Sequence, residues 1–243
     1  MTFAIIAAGE GSRLANEGVT APKPLVTVGG EYLIDRLMRI FMQNGATDIL
    51  VLCNNIKTEV SRHLVEVQNE GLHGRPLPLR FYIKTTPSSM HSFYELSRHI
   101  DSEKFILTTV DTIFREDEFS KYVQAFRESV ESGLDGLMGV TPFVDDEKPL
   151  YVGTDDDMNI TGYYDEHHAG VKYVSAGIYG LTSPSLETLK RCIDKKESRM
   201  RNFQRALVAE KNKLKAWEFS KVFDIDHKSD IAKAEDFIKS PEK

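Results

Sequence analysis

The chain has 243 residues, 41% hydrophobic and 28% charged, which is enough apolar material for a sizeable core. Its 31 Lys and Arg against 37 Asp and Glu leave a net charge of −6, and no basic block marks a nucleic-acid footprint. Two cysteines without metal-ligand spacing, no basic leader, and no run near the ~20 apolar residues of a membrane span lead us to expect a cytoplasmic protein with no membrane partner.

Phe3 to Ala8 is a short apolar run, read as a buried strand. It empties into Gly9-Glu10-Gly11-Ser12-Arg13, and a polar loop then ends in Pro22-Lys23-Pro24. Glycines let a backbone approach an anion closely and turn several N–H groups toward it. With Arg13 and Lys23 beside the turn, this is where a nucleoside triphosphate is expected to bind. Other phosphate motifs fail: Leu14 occupies the third glycine position of a dinucleotide fingerprint, and no Walker loop is present.

Helical spacing follows over Tyr32 to Asn44, closed by Gly45, and Asp48 to Cys53 reads as a buried strand. Lys57 to Gln68 is a helix, Leu79 to Ile83 a strand, His91 to Ile100 a helix, Phe105 to Val110 a strand, and Glu116 to Glu131 a long amphipathic helix. This alternation predicts an α/β fold whose mostly parallel sheet is covered on both faces, in three layers. After Leu137 to Val140 the pattern turns strand-rich over Leu150 to Val152, Ile160 to Tyr164 and Val171 to Leu181, which read as antiparallel. Helices return at Leu186 to Cys192 and Met200 to Glu210. Strands follow at Leu214 to Phe219 and Val222 to Ile225, and Ile231 to Ile238 is a closing helix. No linker divides the chain. One domain over 1–243 is expected, with a nucleotide-binding half at 1–140 and an acceptor-binding half, carrying the late β-rich insertion, at 141–243.

Ligands of open parallel sheets bind at the carboxyl ends of strands. Asp111 stands at such an end, after Phe105 to Val110, as either a turn aspartate or a ligand for Mg²⁺, which takes one or two carboxylates plus substrate phosphates. Asp224-Ile225-Asp226 ends the last strand. Asp230 reads as a first-turn helix residue, and His227 as a solvent-facing or packing side chain.

The run Ala7-Ala8-Gly9-Glu10-Gly11-Ser12-Arg13-Leu14, with Pro22-Lys23-Pro24-Leu25, closely resembles the signature of nucleotidyltransferases acting on sugar 1-phosphates and related phosphates. The resemblance implies a Rossmann-like nucleotide-diphospho-sugar transferase fold. It implies that Ala7, Ala8, Gly9, Gly11, Ser12, Arg13 and Lys23 contact the nucleotide. It also implies that Asp111 and, by pattern, Asp226 hold Mg²⁺, with Asp224 as the other candidate. Thr85 to Ser92 matches a loop that contacts base or ribose in that family. Ser88 is therefore assigned either to the nucleotide or to a helix cap. Val174 to Tyr179 matches the acceptor-side strand, which places Ser175 and Gly177 at the acceptor. Glu166 stands where many members carry the acid of a Glu-Lys pair, but no lysine follows it here.

The expected reaction joins a phosphomonoester, already mostly dianionic at neutral pH, to the α-phosphorus of a triphosphate and releases pyrophosphate. No general base is required. Arg13 and Lys23 carry the catalytic charge on the phosphates. Three alternatives stand beside this reading. One is a cytidylyltransferase for a phospho-alcohol such as phosphocholine, whose ammonium Phe93, Tyr94, Tyr163, Tyr164, Tyr173 and Trp217 could cage, although these read equally as ordinary core residues. Another is a relative that binds nucleotide without chemistry. The third is a glycosyltransferase using Asp224-x-Asp226. The acidic runs Asp145-Asp146-Glu147 and Asp155-Asp156-Asp157 read as solvated hairpin turns. Base, acceptor and oligomeric state are left open.

Overall fold

A computed structural model describes residues 1–240; the last three residues of the expected domain lie outside them. The chain begins with β1 (Thr2–Ala7), α1 (Ser12–Asn16), a single 3-10 turn at Lys23–Leu25, and the small hairpin β2 (Thr27–Val28) and β3 (Glu31–Tyr32). The alternating stretch follows as α2 (Leu33–Gln43), β4 (Asp48–Cys53), α3 (Thr58–Glu70), β5 (Leu79–Ile83), α4 (Ser89–Ser97), β6 (Lys104–Thr109), β7 (Thr112–Ile113) and α5 (Glu116–Glu131). The second half holds β8 (Gly136–Thr141), β9 (Tyr151–Thr154), β10 (Ile160–Tyr164) and β11 (Tyr173–Thr182). After these come α6 (Ser185–Asp194), α7 (Met200–Ala209), β12 (Leu214–Glu218), β13 (Phe223–Asp224) and α8 (Lys228–Lys239).

Nine strands make one mixed sheet, ordered β5-β4-β1-β6-β11-β8-β12, with β9 and β10 attached to the start of β11. The strands of the first half pair in parallel, and β11 joins them antiparallel to β6. β12 returns parallel to β8.

The sheet has a core on each face, and the parity of β1 shows why its strands are apolar throughout. Phe3, Ile5 and Ala7 face one core, under α2, α3, α5 and α8, while Ala4, Ile6 and Ala8 face the other, under α4, α6 and α7. Aromatic rings fill the first core: Phe3 stacks on Phe41 at 4.7 Å, and Phe114 on Phe119 at 4.7 Å.

One strand differs from its sequence reading. Val222 to Ile225 does not enter the main sheet. Only Phe223–Asp224 is extended, and it pairs antiparallel with Thr112–Ile113 in a separate ribbon. The acidic end of that segment therefore reaches the carboxyl end of β6 from outside the sheet.

Gly180 of β11 marks the tightest contact between sheet and helix. A Cβ there would stand 2.7 Å from the Phe126 ring and 2.8 Å from the Tyr122 hydroxyl, both buried on α5. Gly180→Ala should lower stability by about 1–3 kcal/mol, as overpacking does, read as a drop in the urea midpoint. An unchanged midpoint would mean that α5 yields at no cost.

Candidate active site

From β1 the chain lays β4 and then β5 on one side, then returns to place β6 on the other, all parallel. At such a reversal the segments leaving neighbouring strands diverge, and a crevice opens at their carboxyl ends. The glycine turn leaves β1 at this point, and Asp111 follows β6 beside it; Val110 N–H still donates to Ile6 O at 3.0 Å.

Two features shape the turn. Gly11 has φ of +63°, and a Cβ on it would stand 3.0 Å from Lys23 Cβ, so glycine lets the turn close over the lysine. Asn54, buried after β4, donates through Nδ2 to the carbonyls of Ala8 (3.2 Å) and Gly9 (3.1 Å). The sequence reading passed over Asn54. Its available signal was a polar residue just past an apolar strand.

Asp226 arrives on the loop between β13 and α8. Asp230, buried in the first turn of α8, accepts from the backbone N–H of Asp226 (3.1 Å) and His227 (2.7 Å), completing a capping box with His227. Asp230 is thus the first-turn residue that was expected. His227 is not idle: its Nδ1 lies 2.6 Å from Glu17 Oε1, and Glu17 also accepts from Lys228 N–H at 2.7 Å. That hydrogen bond to Glu17 raises the imidazole pKa above its ordinary value.

The cluster centres on Lys23, whose side chain is 11% exposed. Its Nζ contacts Asp111 Oδ2 and donates to Asp226 Oδ1 at 2.8 Å. Arg13 Nη1 donates to Asp226 Oδ2 at 2.7 Å. Burial disfavours the lysine's charge, but the two carboxylates more than offset it and raise the pKa above the ordinary lysine value. Lys23 is therefore a fixed cation. Asp224 stands at the cleft floor, reachable by solvent but crowded. Partial loss of hydration among these groups and then the charge of Asp111 raise its pKa above the ordinary carboxylate value, against the pull of Lys23.

Two clefts meet at this cluster. One is lined by Ala8, Gly9, Gly11, Lys23, Asp111 and the Thr86–Ser89 loop. Ser88 lines it and also caps α4, accepting from His91 N–H at 3.4 Å. The other runs past Arg13, Val174, Ser175, Asp224, Asp226 and His227. Ser175 Oγ accepts from the buried Gln204 at 3.0 Å, and Gly177 (φ +69°) forms the bulge of β11. Ala7 is buried beneath the turn, and Ser12 begins α1 beside it.

The structure also shows where three further groups of side chains stand. Glu166 is exposed and lines neither cleft; its neighbour Asp165 instead pairs with Arg201 and Arg205 on α7. The six aromatics form no cage, because Phe93 packs on Phe105 and Phe203, and Trp217 on Tyr122 and Phe219. Asp145, Asp146 and Glu147 line the second cleft rather than a free hairpin tip. Asp155 is a turn residue as read, accepting from Asp157 and Asn159 N–H.

Among the described residues no three His, Cys, Asp or Glu side chains are grouped to hold a metal alone. The pair Asp111 and Asp226 nonetheless suits a hard cation that completes its shell with substrate oxygens. A positive group, Lys23 Nζ, already bridges them. Lys23→Met should leave these carboxylates facing each other without the buried ammonium, at a cost of about 1–3 kcal/mol in urea unfolding at pH 7. Wild-type stability in that variant would contradict the assigned charge balance.

Comparison with known proteins bears on the family and the fold. A family model described as Nucleotidyl transferase matches residues 3–240. Glucose-1-phosphate cytidylyltransferase of Salmonella typhimurium is 28% identical over 131 residues, which are 46% of this chain and 51% of that protein. The chain thus spans about half the length of the curated relatives it matches. The inositol-1-phosphate CTP transferase from T. maritima shares the fold with a TM-score of 0.75 at 19% identity, over 98% of each chain. A putative glucose-1-phosphate thymidylyltransferase from Bacillus anthracis does so with a TM-score of 0.82 at 16% identity, over 100% of this chain and 97% of that one. From residue 3 to residue 240, this chain belongs to the nucleotidyl transferase family.

Proposed function

We propose that the protein transfers a nucleotidyl group from a nucleoside triphosphate to a sugar 1-phosphate or a related cyclic polyol phosphate, releasing pyrophosphate. The observation that carries this reading is the position of Lys23. It stands between Asp111 and Asp226 where the two clefts meet, so one cation and two carboxylates face the point at which both substrates converge. Three of the relatives are named for cytidylyl, CTP or thymidylyl transfer onto glucose 1-phosphate or inositol 1-phosphate, which supports a pyrimidine triphosphate and a ring-shaped acceptor, while another structure of the same fold carries GMP-PN.

The nucleotide lies in the cleft of Ala8, Gly9, Gly11 and Ser88, with its phosphates over the glycine turn. An oxygen of the acceptor phosphate attacks the α-phosphorus. The bond between α-phosphorus and the bridging oxygen breaks, and pyrophosphate leaves with that oxygen. The acceptor is already dianionic, so no side chain takes a proton. Lys23 places a fixed positive charge on the phosphates. Arg13 takes the outer phosphates as a fork, and Asn54 keeps the turn in register. Asp111 and Asp226 would hold Mg²⁺, which supplies charge neutralisation at the α-phosphate when bound. A reader of nucleotide without chemistry would have no use for this convergence.

The test is a pyrophosphate-release screen with Mg²⁺, crossing four triphosphates with hexose 1-phosphates, inositol 1-phosphate and phosphocholine. A pyrimidine triphosphate with a ring-shaped acceptor is the expected productive pair. Arg13→Ala and Asp111→Ala should then each lower turnover at least about 100-fold with the fold retained. Near-normal turnover in Asp111→Ala would remove it from the site.

A further inference from the structure

The first cleft crosses the end of β1, which lies between β4 and β6 in the sheet. Asp111, with Lys23 against it, follows β6 on one side. The loop after β5 is tied to the other side. Asn55, just past β4, donates its backbone N–H to Thr85 Oγ1 at 3.4 Å and accepts from the same hydroxyl through Oδ1. Thr86 and Ser92 line the cleft beyond that tie. A triphosphate held over Lys23 therefore directs its base toward Thr86.

Two hydroxyls meet there, and their protons can be placed. Thr86 Oγ1 and Ser92 Oγ are 2.6 Å apart, so one donates to the other. Thr86 Oγ1 is also 3.3 Å from Ser88 O and within reach to donate to it. Among the described residues, Ser92 Oγ has no hydrogen-bond partner other than Thr86, and Ser92 is 2% exposed. Each hydroxyl carries one proton. Both protons are satisfied in one order alone: Ser92 donates to Thr86, and Thr86 donates to Ser88 O. In the reverse order the buried Ser92 proton has no acceptor, which is unfavourable. Ser92 is itself fixed by α4, where its N–H donates to Ser88 O at 3.0 Å. Thr86 thus directs its proton into the loop, accepts one hydrogen bond, and keeps one lone pair for the cleft.

We propose that Thr86 reads the base of the triphosphate as a hydrogen-bond acceptor, and that this base is cytosine. The substituent on C4 of a pyrimidine stands opposite the glycosidic nitrogen, so it reaches furthest from the ribose into the end of the cleft. In cytosine it is an amine, which donates to the free lone pair of Thr86. In uracil and thymine it is a carbonyl oxygen, and two acceptors then face each other unpaired. Ser92 is the positioning residue that fixes the direction of the Thr86 hydroxyl. The proposal deepens the transferase reading and rests on it for the place of the phosphates over the glycine turn.

The test is calorimetric titration of CTP and UTP, with Mg²⁺ and without acceptor, into wild-type protein, Thr86→Val and Ser92→Ala. Wild-type protein should bind CTP about 10- to 100-fold more tightly than UTP. Thr86→Val keeps the branched shape and should weaken CTP to the level of UTP, and Thr86→Ser should restore the difference. Ser92→Ala frees the Thr86 hydroxyl to turn its proton toward the cleft. It should tighten UTP and leave CTP nearly unchanged, a gain that a merely structural role would not give. Equal binding of the two triphosphates by wild-type protein, or a difference that survives in folded Thr86→Val, overturns the proposal. Selective CTP binding by a protein that releases no pyrophosphate across the acceptor screen would count against the transferase reading and leave the base assignment standing. Pyrophosphate release from UTP as fast as from CTP would do the reverse.

Discussion

The bridge from Lys23 to Asp111 and Asp226 is the constraint on which the site depends. It joins three segments far apart in the chain: the loop after β1, the end of β6, and the turn before α8. Two carboxylates placed this close would repel each other with no cation between them. The largely buried lysine offsets that repulsion, and each carboxylate offsets the lysine's loss of water. Neither half of the bridge would be stable in this position alone. The charge balance that makes the crevice affordable is the same one that phosphates and a divalent cation would enter.

The rest of the fold serves to hold the three segments in register. β1 and β6 run parallel side by side, so their ends emerge together. The ribbon of β13 with β7 carries Asp224 and Asp226 up to Asp111, and Ile225 N–H donates to Asp111 O at 3.1 Å. Asp230 and Glu17 then secure the backbone after Asp226 from two sides. A carboxylate whose main chain is tied in this way loses little freedom when it takes up a ligand.

The glycine-turn side of the candidate site was legible in the sequence because its features are local. Gly9, Gly11, Arg13 and Lys23 lie within fifteen residues, at the end of one apolar run, and their chemistry needs no distant partner to be recognised. Asp111 was legible for a similar reason, as a carboxylate at a strand end. The acceptor side was not. Glu166 was singled out only by resemblance to the acid of a Glu-Lys pair; it is exposed and is not among the residues lining either cleft, and its neighbour Asp165 pairs with Arg201 and Arg205 on α7. Whether the six aromatics gather into a cage is decided only by packing, which buries Phe93 and Tyr163 in the core and sets Phe93 and Trp217 against different ring neighbours.

By itself the sequence determined the alternation of strand and helix, the glycine turn, and the charged residues beside it, because periodicity and turn chemistry act over a few residues. The tertiary structure decided what no local pattern contains. It took Phe223–Asp224 out of the main sheet into a ribbon, paired Glu17 with His227 across 210 residues, and hung Glu147 over Arg13. These contacts follow from the strand order of the sheet and the path of α8 over it. That order is set by the sum of many packing contacts and not by any one motif.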